Sequence, residues 1–230
     1  MKFRTLLAFF LVFTALGATA QSKLTADDLT YLLEASRVVD PERYPNVRGT
    51  PYRYADFDTI VVYDPAINAY VLDRANYNGF SNQIEFYTAD GQLRELAQRN
   101  FLRAEVPQAE GKPHVYVFGL NPKFRDRYVQ LLHRGDFVTA TMVYDVKNDE
   151  KITQTVGKTL KFQRFNPKSL HFAIVDGDFL TLKLTSKQLA EDLGFKNELT
   201  KFIKANKLKP GQTEDLVRIY AEAERLWAEQ

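Results

Sequence analysis

The chain has 230 residues, no cysteine, and 31 lysines and arginines against 29 aspartates and glutamates. Without cysteine it has no disulfide framework, no thiol nucleophile and no thiolate metal site, so its core must stabilise it. Removal of Lys2 and Arg4 with the leader described next balances 29 basic against 29 acidic residues, which leaves a nucleic-acid partner without electrostatic support.

Lys2 and Arg4 precede an apolar run from Leu6 to Leu16 and the small residues Ala18-Thr19-Ala20. That order marks residues 1–20 as a secretory signal peptide cleaved after Ala20. The run falls short of the roughly 20 apolar residues of a membrane span, and no cysteine follows to carry a lipid. The expected mature protein begins at Gln21, is periplasmic or extracellular, and has no transmembrane segment.

Thr25, with Asp28 three residues on, reads as the capped start of a helix whose apolar face is Leu29, Leu32 and Leu33 and which Pro41 and Pro45 end. From Asp56 short β-branched and aromatic runs alternate with turn residues: Ile60 to Tyr63, Tyr70 to Asn76, Gln83 to Tyr87, His114 to Leu120, Asp136 to Val146, Lys158 to Phe165, Leu170 to Val175 and Phe179 to Leu184. Lys147 to Gln154 reads as a polar connection. Asp176-Gly177 between two apolar runs predicts a tight hairpin. With no intervening helices the strands predict an antiparallel meander. Beyond Leu184 come helical periods: one capped by Ser186, one marked by Leu199, Phe202 and Ile203, and one from Thr213 with a stripe at Leu216, Ile219, Tyr220, Ala223, Leu226 and Trp227. The expected fold is α+β: an antiparallel sheet or partly closed β-barrel with an N-terminal helix and C-terminal helices. Residues 21–48 form the helix and loop, 49–184 the β domain, and 185–230 a helical segment packed on it.

Four motifs invite chemistry. Gly79-Phe80-Ser81 resembles a hydrolase elbow, but Gln83 stands where the second glycine belongs and a strand follows, so a hairpin is expected, with Ile84 and Phe86 on the buried face and Gln83, Glu85 and Tyr87 opposite. Gly157-Lys158-Thr159 lacks the upstream glycine of a phosphate loop, because Ile152 occupies that position, and leads into a strand rather than a helix. His114, His133 and His171 are too dispersed to form a local metal motif. Arg134-Gly135-Asp136 is explained by a turn before a strand. No catalytic residue, metal ligand or cofactor is assigned.

The functional candidates are compositional. Tyrosines crowd the first half of the chain, with arginines and asparagines among them, and a tyrosine offers a rigid apolar face with a polar tip suited to protein or sugar recognition. Tyr52, Tyr54, Arg74, Asn76, Tyr77, Glu85 and Tyr87 are the expected ligand-binding residues. The competing explanation is that tyrosine favours half-buried strands.

Gly49-Thr50-Pro51-Tyr52, then Asp56-Phe57, Asn76-Tyr77-Asn78 and Gln83-Ile84-Glu85-Phe86, resemble a pattern in small exported proteins of Bacteroidota, followed there too by a β-rich body and a helical tail like Leu199 to Leu208. The resemblance implies an exported β-rich architecture and carries no catalytic residue. The function expected is therefore a non-catalytic binding or interaction protein of the envelope or the exterior, with a protein or glycan partner. The alternative is a hydrolase whose histidine and carboxylate groups meet only in the fold.

Overall fold

The computed structural model describes residues 24–155 and 158–230. The leader, its cleavage point and Gly157 lie outside those residues. Helix α1 (Ala26–Glu34) starts on a reciprocal cap: the Thr25 hydroxyl accepts the Asp28 N–H at 3.2 Å and the Asp28 carboxylate accepts the Thr25 N–H at 2.9 Å. These bonds hold the Asp28 carboxyl below its ordinary range. Of the three leucines expected on its inner face only Leu32 is buried, and Leu29 remains 44% exposed. The helix ends well before Pro41, because the chain passes directly into strand β1 (Ser36–Val38).

Then follow β2 (Val47–Arg48), β3 (Asp58–Tyr63), β4 (Ala69–Asn78), β5 (Gln83–Tyr87), β6 (Leu93–Leu96), a 3-10 turn (Gln98–Asn100), β7 (Arg103–Val106), β8 (His114–Phe118), β9 (Tyr128–Arg134), β10 (Val138–Thr155), β11 (Lys158–Val175) and β12 (Asp178–Thr181). They form one sheet in the order β1-β6-β5-β4-β3-β7-β8-β9-β10-β11-β12, antiparallel throughout this path, with β2 added in parallel to β11. The class is α+β, and the sheet is mixed and open rather than a closed barrel. It nonetheless curls. Gly79, in the β4–β5 turn, accepts the Val146 N–H from β10 at 3.2 Å and donates its own N–H to Pro51 at 2.9 Å. A Cβ on Gly79 would lie 2.5 Å from the Tyr144 ring, so this glycine is required by close approach to β10, not by backbone conformation.

The polar connection expected at Lys147–Gln154 is instead the outer half of β10. β10 and β11 pair without interruption from Val138↔Val175 to Thr155↔Lys158. The last nine pairs, from Lys147↔Asn166 outward, form a ribbon about 30 Å long. On β11 the ribbon still sends Phe165 into a core, but its β10 side, polar except for Ile152, packs no face on one, which removes the alternation by which a strand is recognised. At the other end, Asp176 (φ 47°) and Gly177 (φ 87°) make the expected tight turn.

Two cores result. The first gathers Ile60, Val62, Leu72, Tyr77, Ile84, Phe86, Phe101, Tyr116 and Tyr128, with Tyr144, Val146 and Phe165 arriving from the long hairpin. The second lies between the β9–β11 part of the sheet and the helices α2 (Ser186–Asp192), α3 (Lys196–Ala205) and α4 (Thr213–Ala228). Leu216, Ile219, Tyr220 and Ala223 of α4 are fully buried there, while Trp227 is 40% exposed and stacks on Phe137 at 5.7 Å.

Candidate functional site

Asn76 and Glu85 are cross-strand partners, as are Tyr77 and Ile84. Strand alternation then puts Asn76, Asn78 and Glu85 on one face and Tyr77, Ile84 and Phe86 on the core face. The polar face is not open. The segment between β1 and β3 lies over it, and Asn76, Asn78 and Glu85 are fully buried.

Glu85 is the centre of this layer. One carboxylate oxygen accepts Arg43 Nη2 at 2.5 Å, Asn78 Nδ2 at 2.7 Å and the Ser81 hydroxyl at 3.2 Å; the other accepts the Tyr52 hydroxyl at 2.9 Å. Burial, then the neighbouring Glu85 charge, raises the Tyr52 phenol well above its ordinary range. The amide of Asn76 is equally committed: its Oδ1 accepts the N–H of Tyr54 and of Tyr77, and its Nδ2 donates to the carbonyls of Tyr54 and Asp56. The bonds of Arg43 and Tyr52 to Glu85, and of Asn76 to Tyr54 and Asp56, fasten the covering segment to the sheet, and those of Asn78 and Ser81 brace the hairpin end.

The tyrosines of the core are committed in the same way. Tyr128 donates to the Phe101 carbonyl at 2.6 Å, Tyr144 to the Tyr52 carbonyl at 3.1 Å, and the Tyr54 hydroxyl sits 2.9 Å from both Tyr116 Oη and His114 Nδ1. Burial raises the phenols of Tyr54, Tyr77, Tyr116 and Tyr128. Arg53, whose Nε has no hydrogen-bond partner, lies 5.1 Å from the Tyr144 ring centroid.

The seven expected binding residues therefore divide. Tyr52 and Glu85 are brought together, with Asn76 nearby in the same layer. Arg74 and Tyr87 meet separately, the guanidinium 4.7 Å from the ring centroid, and Phe57 links Tyr87 to Tyr52 through ring contacts of 5.0 and 4.8 Å. Tyr54 belongs to the His114 contact, and Tyr77 lies on the opposite face in the core. Residue-by-residue reading of the sequence missed Arg43, Asn78 and Ser81 as partners of Glu85. Asn78 and Ser81 sit at a hairpin end next to a nominated carboxylate, and that proximity is the one signal that could have found them.

No protein-family model matches the chain, and neither does any curated protein or solved structure.

Its chemistry is accordingly judged from its own groups. Ser81 hydrogen-bonds Glu85, not a histidine. The histidines have separate surroundings: His114 meets Tyr54, His171 leaves Nδ1 buried and without a partner, and His133 Nε2 is 3.6 Å from Glu224 Oε1. Among the described residues, no group of three or more histidines and carboxylates is placed to hold a metal. Glu224 has another task, accepting the N–H of Val138 at 2.6 Å and of Phe137 at 3.2 Å, and a Cβ at Gly135 would collide with its carboxylate. The Arg134-Gly135-Asp136 turn is thus the seat of a helix carboxylate.

The clefts lie elsewhere. Grooves of about 610, 360 and 250 Å³ open respectively between β2 and the ribbon, beside Arg37 and Glu95, and beside Asp56 and Asp58; none of the three is lined by a histidine. No helix among the described residues is long and apolar enough to cross a membrane.

Proposed function

We propose that this is an exported, non-catalytic binding protein that engages its partner through the β10–β11 ribbon. The observation that carries the proposal is a contrast. In the body, the carboxylate of Glu85 and the phenols of Tyr52, Tyr54, Tyr128 and Tyr144 are spent on holding the fold, whereas the ribbon extends from the body with Ile152 58% and Leu160 51% exposed. An isolated two-stranded ribbon is marginal in water, and this one carries one exposed apolar side chain on each face, Ile152 and Leu160, so a partner laid along it would add the support that the body does not give. The signal-peptide pattern supports export, and the β-rich body with a helical tail accords with the small exported Bacteroidota proteins that the sequence resembles. The partner class is a protein or a glycan.

The specific observation behind a hydrolase is His133 against Glu224. It is the weaker basis, because that carboxylate is engaged by two backbone amides and none of the three large grooves reaches the pair.

The test places a photo-crosslinking amino acid at Ile152 and, as a control, at the exposed Asp73, in the exported fraction of the producing cell. A discrete adduct from position 152 and none from 73 is expected. Absence of any adduct at 152, or turnover of generic ester or glycoside substrates that His133→Ala abolishes, would overturn the proposal.

A further inference from the structure

The hydrogen bonds fix which backbone groups of the ribbon point outward. Val146 donates its N–H to Gly79, on the side away from β11, so the pair Val146↔Pro167 is a non-hydrogen-bonded one. Such pairs recur at every second residue of an antiparallel ladder. The same parity is seen further along β11, where His171 accepts the Leu182 N–H on its outer side at 2.9 Å. Thr159 and Lys161 therefore present N–H and C=O away from β10. β2 covers β11 only at Gln163 and Arg164, and β12 only from Phe172 to Val175. Among the described residues the outward groups of Thr159 and Lys161 have no partner strand.

Beside this open stretch, in line with β2, lies the groove of about 610 Å³, walled by Val47, Arg48, Lys161 and Phe162. Arg48 covers Phe162, its guanidinium carbon 3.9 Å from the ring centroid. From Thr159 to Asn166 β11 carries Lys161 and Arg164 and no acidic residue. The one carboxylate on the groove, Glu150, is 3.8 Å from Lys161, but both side chains are at least 60% exposed, and a pair so solvated neutralises little. The edge is basic, with unpaired strand donors and acceptors.

We infer that this edge receives an acidic, extended peptide segment as an added strand continuing the line of β2. The inference rests on the ribbon being the binding element. Backbone pairing supplies the register, and Arg48, Lys161 and Arg164 supply the preference for carboxylates. A second copy of this chain presenting the same edge would bring like charges together.

The probe is a fluorescein-labelled peptide of alternating glutamate and valine, with its lysine–valine counterpart as control, followed by fluorescence anisotropy against the mature protein. The acidic peptide is expected to bind and the basic one not. Arg48→Glu with Lys161→Glu should weaken binding at least about tenfold. Thr159→Pro removes one outward N–H and no charge, and Pro167 shows that β11 accommodates proline at an equivalent position. That variant should lose binding while keeping its melting temperature. Equal binding by Thr159→Pro, displaceable by heparin, would reduce the edge to a charged surface and overturn the inference. So would a concentration-dependent dimer that Thr159→Pro dissociates. Failure of both peptides while the position-152 adduct persists would sink the added strand and leave the binding proposal standing; failure of peptide and adduct together would sink both.

Discussion

A carboxylate with no solvent exposure and four donors is a structural commitment, and Glu85 shows what the commitment costs to break. Glu85→Ala would strand Arg43, Asn78 and the Tyr52 hydroxyl under the covering segment, which for a buried pair is destabilising by about 3 kcal/mol or more. Ser81→Ala removes one hydrogen bond of 3.2 Å from the same oxygen and should cost only about 1 kcal/mol. Urea unfolding of both variants checks the ranking; similar losses would mean that Glu85 is not the anchor. The alternation that set Gln83, Glu85 and Tyr87 opposite Ile84 and Phe86 was legible in the sequence. That Glu85 is covered was not, because its partners Arg43 and Tyr52 are 42 and 33 positions away and nothing local in β5 announces them.

At the scale of elements, legibility followed burial. α4 was readable from its stripe because one face meets a core, and the Asp176-Gly177 hairpin from its turn chemistry. The outer half of β10 reads as a connection because a strand wet on both faces has no apolar period; β6 and β7 escape because each has four residues broken by charges, and β9 because Gln130 and the adjacent Leu131-Leu132 break its alternation. The helix stripe makes a firm prediction. α4 buries Leu216, Ile219 and Tyr220 completely, the two aliphatic side chains each worth roughly 1.5–3 kcal/mol, so truncation after Gly211 should expose the second core. Calorimetry should find a lower melting temperature or loss of the cooperative transition; an unchanged transition would show α4 to be a detachable docking helix.

Taken as a whole, the molecule carries its three histidines in environments that disfavour charge. Burial lowers the pKa of His114, His133 and His171, with Arg53 adding to the effect at His114 and Glu224 opposing it at His133. Because the folded values lie below the unfolded one, the unfolded chain takes up more protons as pH falls below about 6.5, and stability present above that value is lost down to the folded pKa values. The melting temperature should fall between about pH 7 and pH 5, and His171→Gln should flatten the slope. A melting temperature constant over that range would refute the assignment. One contact bears on a different matter, the order of biosynthesis. The amides of Phe137 and Val138 are closed by a carboxylate translated 87 and 86 positions later. While the nascent chain lengthens, the β9–β10 turn keeps two open donors, and the sheet face that α4 will cover stays wet. Until Glu224 has been translated the second core lacks part of its cover, so its closure comes late in synthesis.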